Sequence, residues 1–261
     1  MAMLAGSVAR AAAPVLSEDF EAGSLDKAVW ETRTTGSVAV TVQQAQVAHG
    51  KSALQVHYPA GSRGSIGFIV TSHLPDAVRT HCFGRAYVYI SPGMPAGHDV
   101  LVTTGTAGYP TSNFLEVGVS GGKNVNLSYQ QNAANVPRGE TLRRGSAYPV
   151  GRWFCLEWEL QDHPNRIVTW IDGEQVGELA DFTFKPRAAT LLQPNGAAKV
   201  DSLGKKGEPA AEIAPVPGTD LVKEFVDFAF GFRAWGRVTE EDFDIYYDDI
   251  AIGTQRIGPI K

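Results

Sequence analysis

Trp153 to Leu160 reads WFCLEWEL. Phe154, Leu156, Trp158 and Leu160 take every second position, with Trp153, Cys155, Glu157 and Glu159 between them. A strand turns successive side chains to opposite faces, so the octapeptide reads as a β-strand with an apolar core face and a mixed outer face; a helix would space the apolar residues three or four apart. The same period recurs outward from it. Leu115, Val117 and Val119 oppose Phe114 and Glu116; Ala86, Val88 and Ile90 oppose Arg85, Tyr87 and Tyr89; and Phe228, Phe230 and Phe232 oppose Arg233 and Trp235. Further strands are predicted at Val38–Val42, Ala53–Tyr58, Ser65–Val70, Val100–Thr104, Val125–Gln131, Ile167–Ile171 and Asp244–Ile252, bounded by Gly, Pro, Asn and Ser. Many short strands with almost no helical pattern predict an all-β sandwich or barrel.

All-β domains reach 261 residues without dividing, so one domain over residues 14–261 is expected. Residues 185–220 break the pattern with a Pro-, Gly-, Ala- and Lys-rich excursion, read either as a functional lid or as a bland insertion. Met1 to Ala13 (MAMLAGSVARAAA) ends in small residues before Pro14, the pattern of a signal-peptide remnant; the alternative is a terminus with no export meaning. A formal charge of -5 argues against nucleic acid or an anionic membrane as partner, since both require clustered Lys and Arg. No run of eighteen apolar residues is present to span a bilayer. Cys82 and Cys155 lack the number and spacing of a disulfide framework or a zinc site, and would pair only if their strands were neighbours. No Ser-His-Asp spacing, phosphate-binding Gly loop, H-E-x-x-H or paired C-x-x-C supports a protease, nucleotide or zinc reading.

The outward strand faces are rich in aromatics, Arg and carboxylates. Rings stack on pyranose faces while amides and charges bond hydroxyls or uronates, so the composition suits a sugar polymer. β-Propensity and solubility alone would also place Tyr and Arg there.

Three separated blocks carry a resemblance. SEDFEAGSLDKAVW (Ser17–Trp30), VAHGKSALQV (Val47–Val56) and YYDDIAIGTQRIG (Tyr246–Gly258) resemble the start, second block and end of a family of secreted cellulose-induced proteins of fungi and bacteria. WFCLEWELQDHPNRIVTWIDGEQV (Trp153–Val176) resembles that family's central strand pair. The resemblance implies a concanavalin A-like jelly roll similar to those of glucuronan and alginate lyases, a monomeric protein that is secreted or periplasmic, and a polysaccharide ligand. It also implies one structural Ca²⁺ where the chain ends meet, held by Glu21, the turn from His49 to Lys51, and Asp249. This turn is one residue shorter than the fungal one and lacks its Ser and Asn.

By the same resemblance the activity expected is β-elimination on a uronic-acid glycan, with Tyr or His moving protons and Arg, Gln or Asn holding the carboxylate. The matching catalytic candidates are Tyr129, His98, Gln131 and Arg85, with Arg233, Trp235, Glu116, Tyr87 and Trp153 as substrate-binding candidates. Val125 and Leu127 share a strand parity with Tyr129, which leaves a core position for Tyr129 open. One departure stands out: the fungal relative has His-Leu-Arg where this chain has Phe114, Leu115 and Glu116, an acid in place of a uronate-gripping cation. Glu116, Glu157 and Glu159 keep a glycoside hydrolase in view, although the E-x-D-x-x-E pattern of glucanases with this fold is missing. A non-catalytic carbohydrate-binding protein is the other alternative.

Overall fold

The structure, a computed structural model, describes residues 13–95, 97–105, 114–120, 124–130, 139–161, 166–180, 224–234 and 240–260. In chain order the strands are β1 (Leu16–Glu18), β2 (Glu31–Thr34), β3 (Ala39–Gln43), β4 (Ala53–Tyr58), β5 (Ile66–Thr71), β6 (His81–Ile90), β7 (His98–Gly105), β8 (Phe114–Ser120), β9 (Asn124–Gln130) and β10 (Gly139–Ala147). They continue as β11 (Trp153–Gln161), β12 (Arg166–Ile171), β13 (Glu174–Ala180), β14 (Asp227–Ala234) and β15 (Phe243–Gly253). One 3₁₀ turn, Asp76–Val78, is the helical content of the described residues.

Two antiparallel sheets result. An eight-stranded sheet runs β13-β12-β11-β6-β15-β4-β3, with β1 also paired to β15; a seven-stranded sheet runs β10-β9-β8-β7-β14-β5-β2. The chain is therefore all-β, as its alternation predicts, and of the sandwich and barrel that the alternation allowed it is the two-sheet sandwich. Residues 1–12 and the excursion at 185–220 lie outside the described residues.

Alternation builds the core directly. Cys82, Ala86, Val88 and Ile90 of β6 face it from the eight-stranded sheet together with Phe154, Leu156, Trp158 and Leu160 of β11. Leu115, Val117, Leu127, Phe228, Phe230 and Phe232 meet them from the other sheet. Phe230 packs on Trp158 at 5.8 Å and on Trp30 at 6.0 Å between ring centroids. Each such side chain contributes about 1.5–3 kcal/mol on burial. Tyr247 of β15 is fully buried, and its hydroxyl crosses to the carbonyls of Leu101 (2.9 Å) and Gly231 (2.6 Å), tying the sheets while satisfying its polar tip. Gly84 stands opposite Trp158, and a Cβ there would overlap the indole, so the glycine makes the ring's resting place.

Four strands have no counterpart in the alternation: β1, β2, β10 and β13. The last three are sheet edges and β1 pairs on one side only. Edge strands are half covered, so sequences such as Glu31–Thr34 (ETRT) carry no apolar period. Cys82 and Cys155 lie on adjacent strands, but Cys82 is opposite Leu160 and Cys155 opposite Tyr87, on opposite faces, and both thiols are free. Burial pushes both thiol pKa values up, that of Cys155 to about 12.

Candidate functional site

The outer face of the seven-stranded sheet has its own register of side chains. Ala229, Thr103, Glu116 and Ser128 stand opposite one another across β14, β7, β8 and β9. Arg233, Val100, Gly118 and Asn126 form the neighbouring row. A separate apolar cluster of Phe68, Val70, Val100 and Ala229, with Ile66 packed on it, floors this face. Glu116 is 1% exposed and its carboxylate accepts a 2.6 Å hydrogen bond from the Ser128 hydroxyl. Arg233 is half-buried opposite Ile66 and Val100. Thr103 Oγ1 donates to the Leu115 carbonyl at 3.0 Å, which anchors the row between Glu116 and β14.

The sequence-derived candidates divide between the two sheets. Glu116 and Arg233 share the face just described. His98 opens β7 opposite Ser120, and Tyr129 in β9 stands opposite Leu115, a core residue. Gln131 and Trp235 lie outside the described residues. Arg85, Tyr87 and Trp153 belong to β6 and β11, on the outer face of the other sheet, so the structure does not bring them to Glu116 and Arg233. Arg85 is instead engaged with chain-end carbonyls, Nε to Asp249 at 3.4 Å and Nη1 to Gly258 at 3.3 Å. The Tyr87 hydroxyl accepts from the Ile260 amide at 2.9 Å. Ser128, Thr103 and Asn126 were missed; the signal was there in β9, where Asn126 and Ser128 alternate with the core residues Val125 and Leu127.

Glu21 and Asp249, expected around calcium, each reach the turn at residues 49–51. Glu21 Oε1 accepts from the Lys51 amide (2.7 Å) and the Ser52 amide (3.0 Å), which hold its carboxyl below the usual carboxylate range. A Cβ on Gly50, whose φ is +63°, would overlap that carboxylate, so the turn is shaped around an acidic group. From the other side Asp249 Oδ2 meets His49 Nδ1 at 2.5 Å. Asp249 sits at the bulge between Asp248 and Ala251 with φ +46°, a left-handed conformation that redirects it out of the β15 ladder. Two carboxylates on one turn are a donor set that a hard cation accepts. Among the described residues no three His, Cys, Asp or Glu side chains form a metal-holding group, so main-chain oxygens of residues 49–51 would have to complete the set.

Residues 19–255 match the family model of polysaccharide-lyase-like proteins described as the Cip1-like core domain. The chain belongs to that family. Among solved structures it is similar to the cellulose-induced protein Cip1, at 17% identity with a TM-score of 0.62, covering 94% of this chain and 100% of that one. It is also similar to the endo-β-1,4-glucuronan lyase of the fungus Trichoderma reesei, at 16% identity and a TM-score of 0.58, covering 93% and 96% of the two chains. A sialidase matches at 9% identity and a TM-score of 0.54, with 18% of its length covered. No curated protein sequence matches. At these identities the structural likeness establishes the shared fold, a jelly roll.

In this Cip1-like domain the two outward carboxylates of β11, Glu157 and Glu159, are committed to protein partners. Glu157 accepts Nε and Nη2 of Arg256 at 3.1 and 2.8 Å and the Gly258 amide at 3.0 Å. Glu159 bonds His81 Nε2 and Arg166 Nη1, each at 2.9 Å. Both face outward as read, yet they clamp the C-terminal segment and β12 onto the eight-stranded sheet, and Arg256 also lies over the Trp170 ring at 4.4 Å. A recess of about 670 Å³ lined by Leu25, Trp30, Thr32, Val40 and Val42 opens beside β2 and β3, at the far edge from β9 and β10. No described helix is long and apolar enough to cross a membrane.

Proposed function

We propose that this Cip1-like protein is a secreted polysaccharide lyase that cleaves a uronic-acid-containing glycan by β-elimination, on the outer face of the seven-stranded sheet. The observation that carries the proposal is the match of residues 19–255 to a polysaccharide-lyase-like family, joined to the Glu116–Ser128 pair and Arg233 on one sheet face. In the reaction a base removes the C5 proton, the electron pair forms the C4–C5 double bond, the C4–O bond breaks, and an acid protonates the departing oxygen. The Arg233 guanidinium is assigned to the substrate carboxylate, where it stabilises negative charge developing beside C5. His98, on the strand parity of Val100, is assigned to proton transfer and Trp235 to holding the chain; Tyr129 keeps the parity of the core residues Val125 and Leu127, which takes it off this face. Calcium is assigned to Glu21, Asp249 and the turn at residues 49–51, where it would supply a structural tie between the chain ends.

Glu116 favours a second reading, a non-catalytic glycan-binding protein, because a buried carboxylate repels a uronate. Mass spectrometry of oligoglucuronate and oligoalginate digests separates the readings. Elimination yields fragments whose masses sum to that of the substrate, hydrolysis adds one water per cut, and a binding protein leaves the chain length unchanged while retarding the protein in a gel containing the glycan. Intact oligomers under all conditions would remove the lyase reading.

A further inference from the structure

The outer face of the eight-stranded sheet carries a constellation that the lyase reading leaves unused. Tyr89 of β6 lies opposite Trp153 of β11 on one side and Tyr246 of β15 on the other, and Tyr246 lies opposite Gln55 of β4. The three rings form one compact group, with centroids 5.7 Å apart for Tyr89–Tyr246, 5.8 Å for Tyr89–Trp153 and 6.4 Å for Trp153–Tyr246. None belongs to the core, and all three are half-buried. Beside the rings, Asp244 Oδ1 accepts from Gln55 Nε2 at 2.8 Å and meets His57 Nδ1 at 2.9 Å, while Gln55 Nε2 also reaches the Tyr246 hydroxyl at 3.3 Å. A carboxylate only accepts, so the hydrogen of this contact sits on His57 Nδ1, and the contact fixes the orientation of the ring. The His57 and Asp244 side chains remain 35% and 24% exposed, held in place and open to solvent.

We propose that this patch is a second carbohydrate site, taking a neutral hexopyranose unit of a polysaccharide at a place separate from the uronate face. Cross-strand aromatic pairs stabilise a sheet wherever they occur, but sheet stability gives no reason for a pre-oriented carboxylate, imidazole and amide at their rim. A sugar uses both parts: its C–H face packs on the rings, and its hydroxyls donate to Asp244 and exchange a hydrogen bond with His57 Nε2. The charge selects the class of sugar. Asp244 attracts hydroxyl donors and repels a carboxylate, and Arg152, next in sequence to Trp153, is paired with Asp172 at 2.9 Å. Among the described residues the guanidinium nearest in sequence to the rings is thus already paired, and a neutral glucan needs no counter-charge. The two outer faces lie on opposite sides of the sandwich, so the patch would tether the protein to a neutral polymer while the other face handles an anionic one.

Affinity electrophoresis in gels containing soluble β-glucan or hydroxyethyl cellulose, with cellohexaose titration by calorimetry, tests this. The wild-type protein is expected to be retarded, Trp153→Ala and Tyr246→Ala to lose at least tenfold in affinity, and Asp244→Asn to weaken binding while keeping the ring cluster. Thermal melts of each variant establish that it is folded, and Asp244→Asn decides the matter should either aromatic variant fail to fold. Glu116→Gln is expected to bind the neutral glucan as the wild type does. The proposal is overturned by an absence of wild-type retardation and cellohexaose binding, by full affinity in the Trp153 and Tyr246 variants, or by loss of neutral-glucan binding in Glu116→Gln. It is equally overturned if the patch variants alter the sedimentation of the protein and not its sugar affinity, which would assign the surface to self-association.

Discussion

Individual residues show how far partnership decides the use of a charge. Glu157 is 1% exposed and Arg256 40%, so the two halves of this ion pair are not equivalent. Removing the arginine strands a buried carboxylate, at a cost of about 3 kcal/mol. Glu157→Gln leaves the arginine in water and should cost about 1 kcal/mol. Urea unfolding of Arg256→Ala and Glu157→Gln is expected to give that order, and the reverse order would contradict the clamp assigned to the C-terminal segment. Glu18 makes a pH prediction. Burial raises its pKa above the ordinary 4.5, against hydrogen bonds from the Phe20 amide and Trp30 that lower it. A raised carboxyl binds its proton more tightly in the folded state, so its contribution to stability is present below 4.5 and is lost as pH rises through the folded value. Glu18→Gln should therefore flatten the fall in melting temperature above pH 4.5, and an unchanged pH profile would count against it. Outwardness was legible residue by residue: Arg85, Tyr87, Trp153, Glu116 and Glu157 all leave the core as their alternation says. Sheet membership was not, because period 2 reports a face and carries no information about which sheet owns it. Arg85 was for that reason grouped with Arg233 across the thickness of the sandwich.

Among the elements, the β6–β11 pair carries the most specific packing. Gly84→Ala forces the fully buried Trp158 indole to move, with an expected loss of about 1–3 kcal/mol; an unaltered urea midpoint would show that the ring has room. The pair was readable because both strands are central and covered on the inner side, and the edge strand β3 was readable because Val40 and Val42 alternate onto the core, whereas β2 (ETRT) carries no apolar alternation. The turn at residues 49–51 is a different case. The family resemblance implied Glu21 and Asp249 as its partners, and the fold delivers both to it from positions distant in the chain. If calcium occupies this seam, adding it to chelated protein should raise the melting temperature by about 5 °C or more, and Glu21→Gln should abolish the rise. A melting temperature indifferent to both calcium and chelator would remove the ion from the account.

The whole molecule presents two unlike outer faces on one jelly roll. One has a floor of Phe68, Val70, Val100 and Ala229 with Glu116, Ser128 and Arg233 on it; the other has aromatics beside His57 and Asp244 and the clamped chain ends. The central claim is that the first face performs β-elimination on a uronan. The most direct test is a time course of ultraviolet absorbance from the C4–C5 double bond when glucuronan is mixed with wild-type protein and with Arg233→Ala. The account predicts a steady rise for the wild type and a rate at least a hundredfold lower for the folded variant, about 3 kcal/mol of transition-state stabilisation. New reducing ends without absorbance, or an undiminished rate in Arg233→Ala, would contradict it.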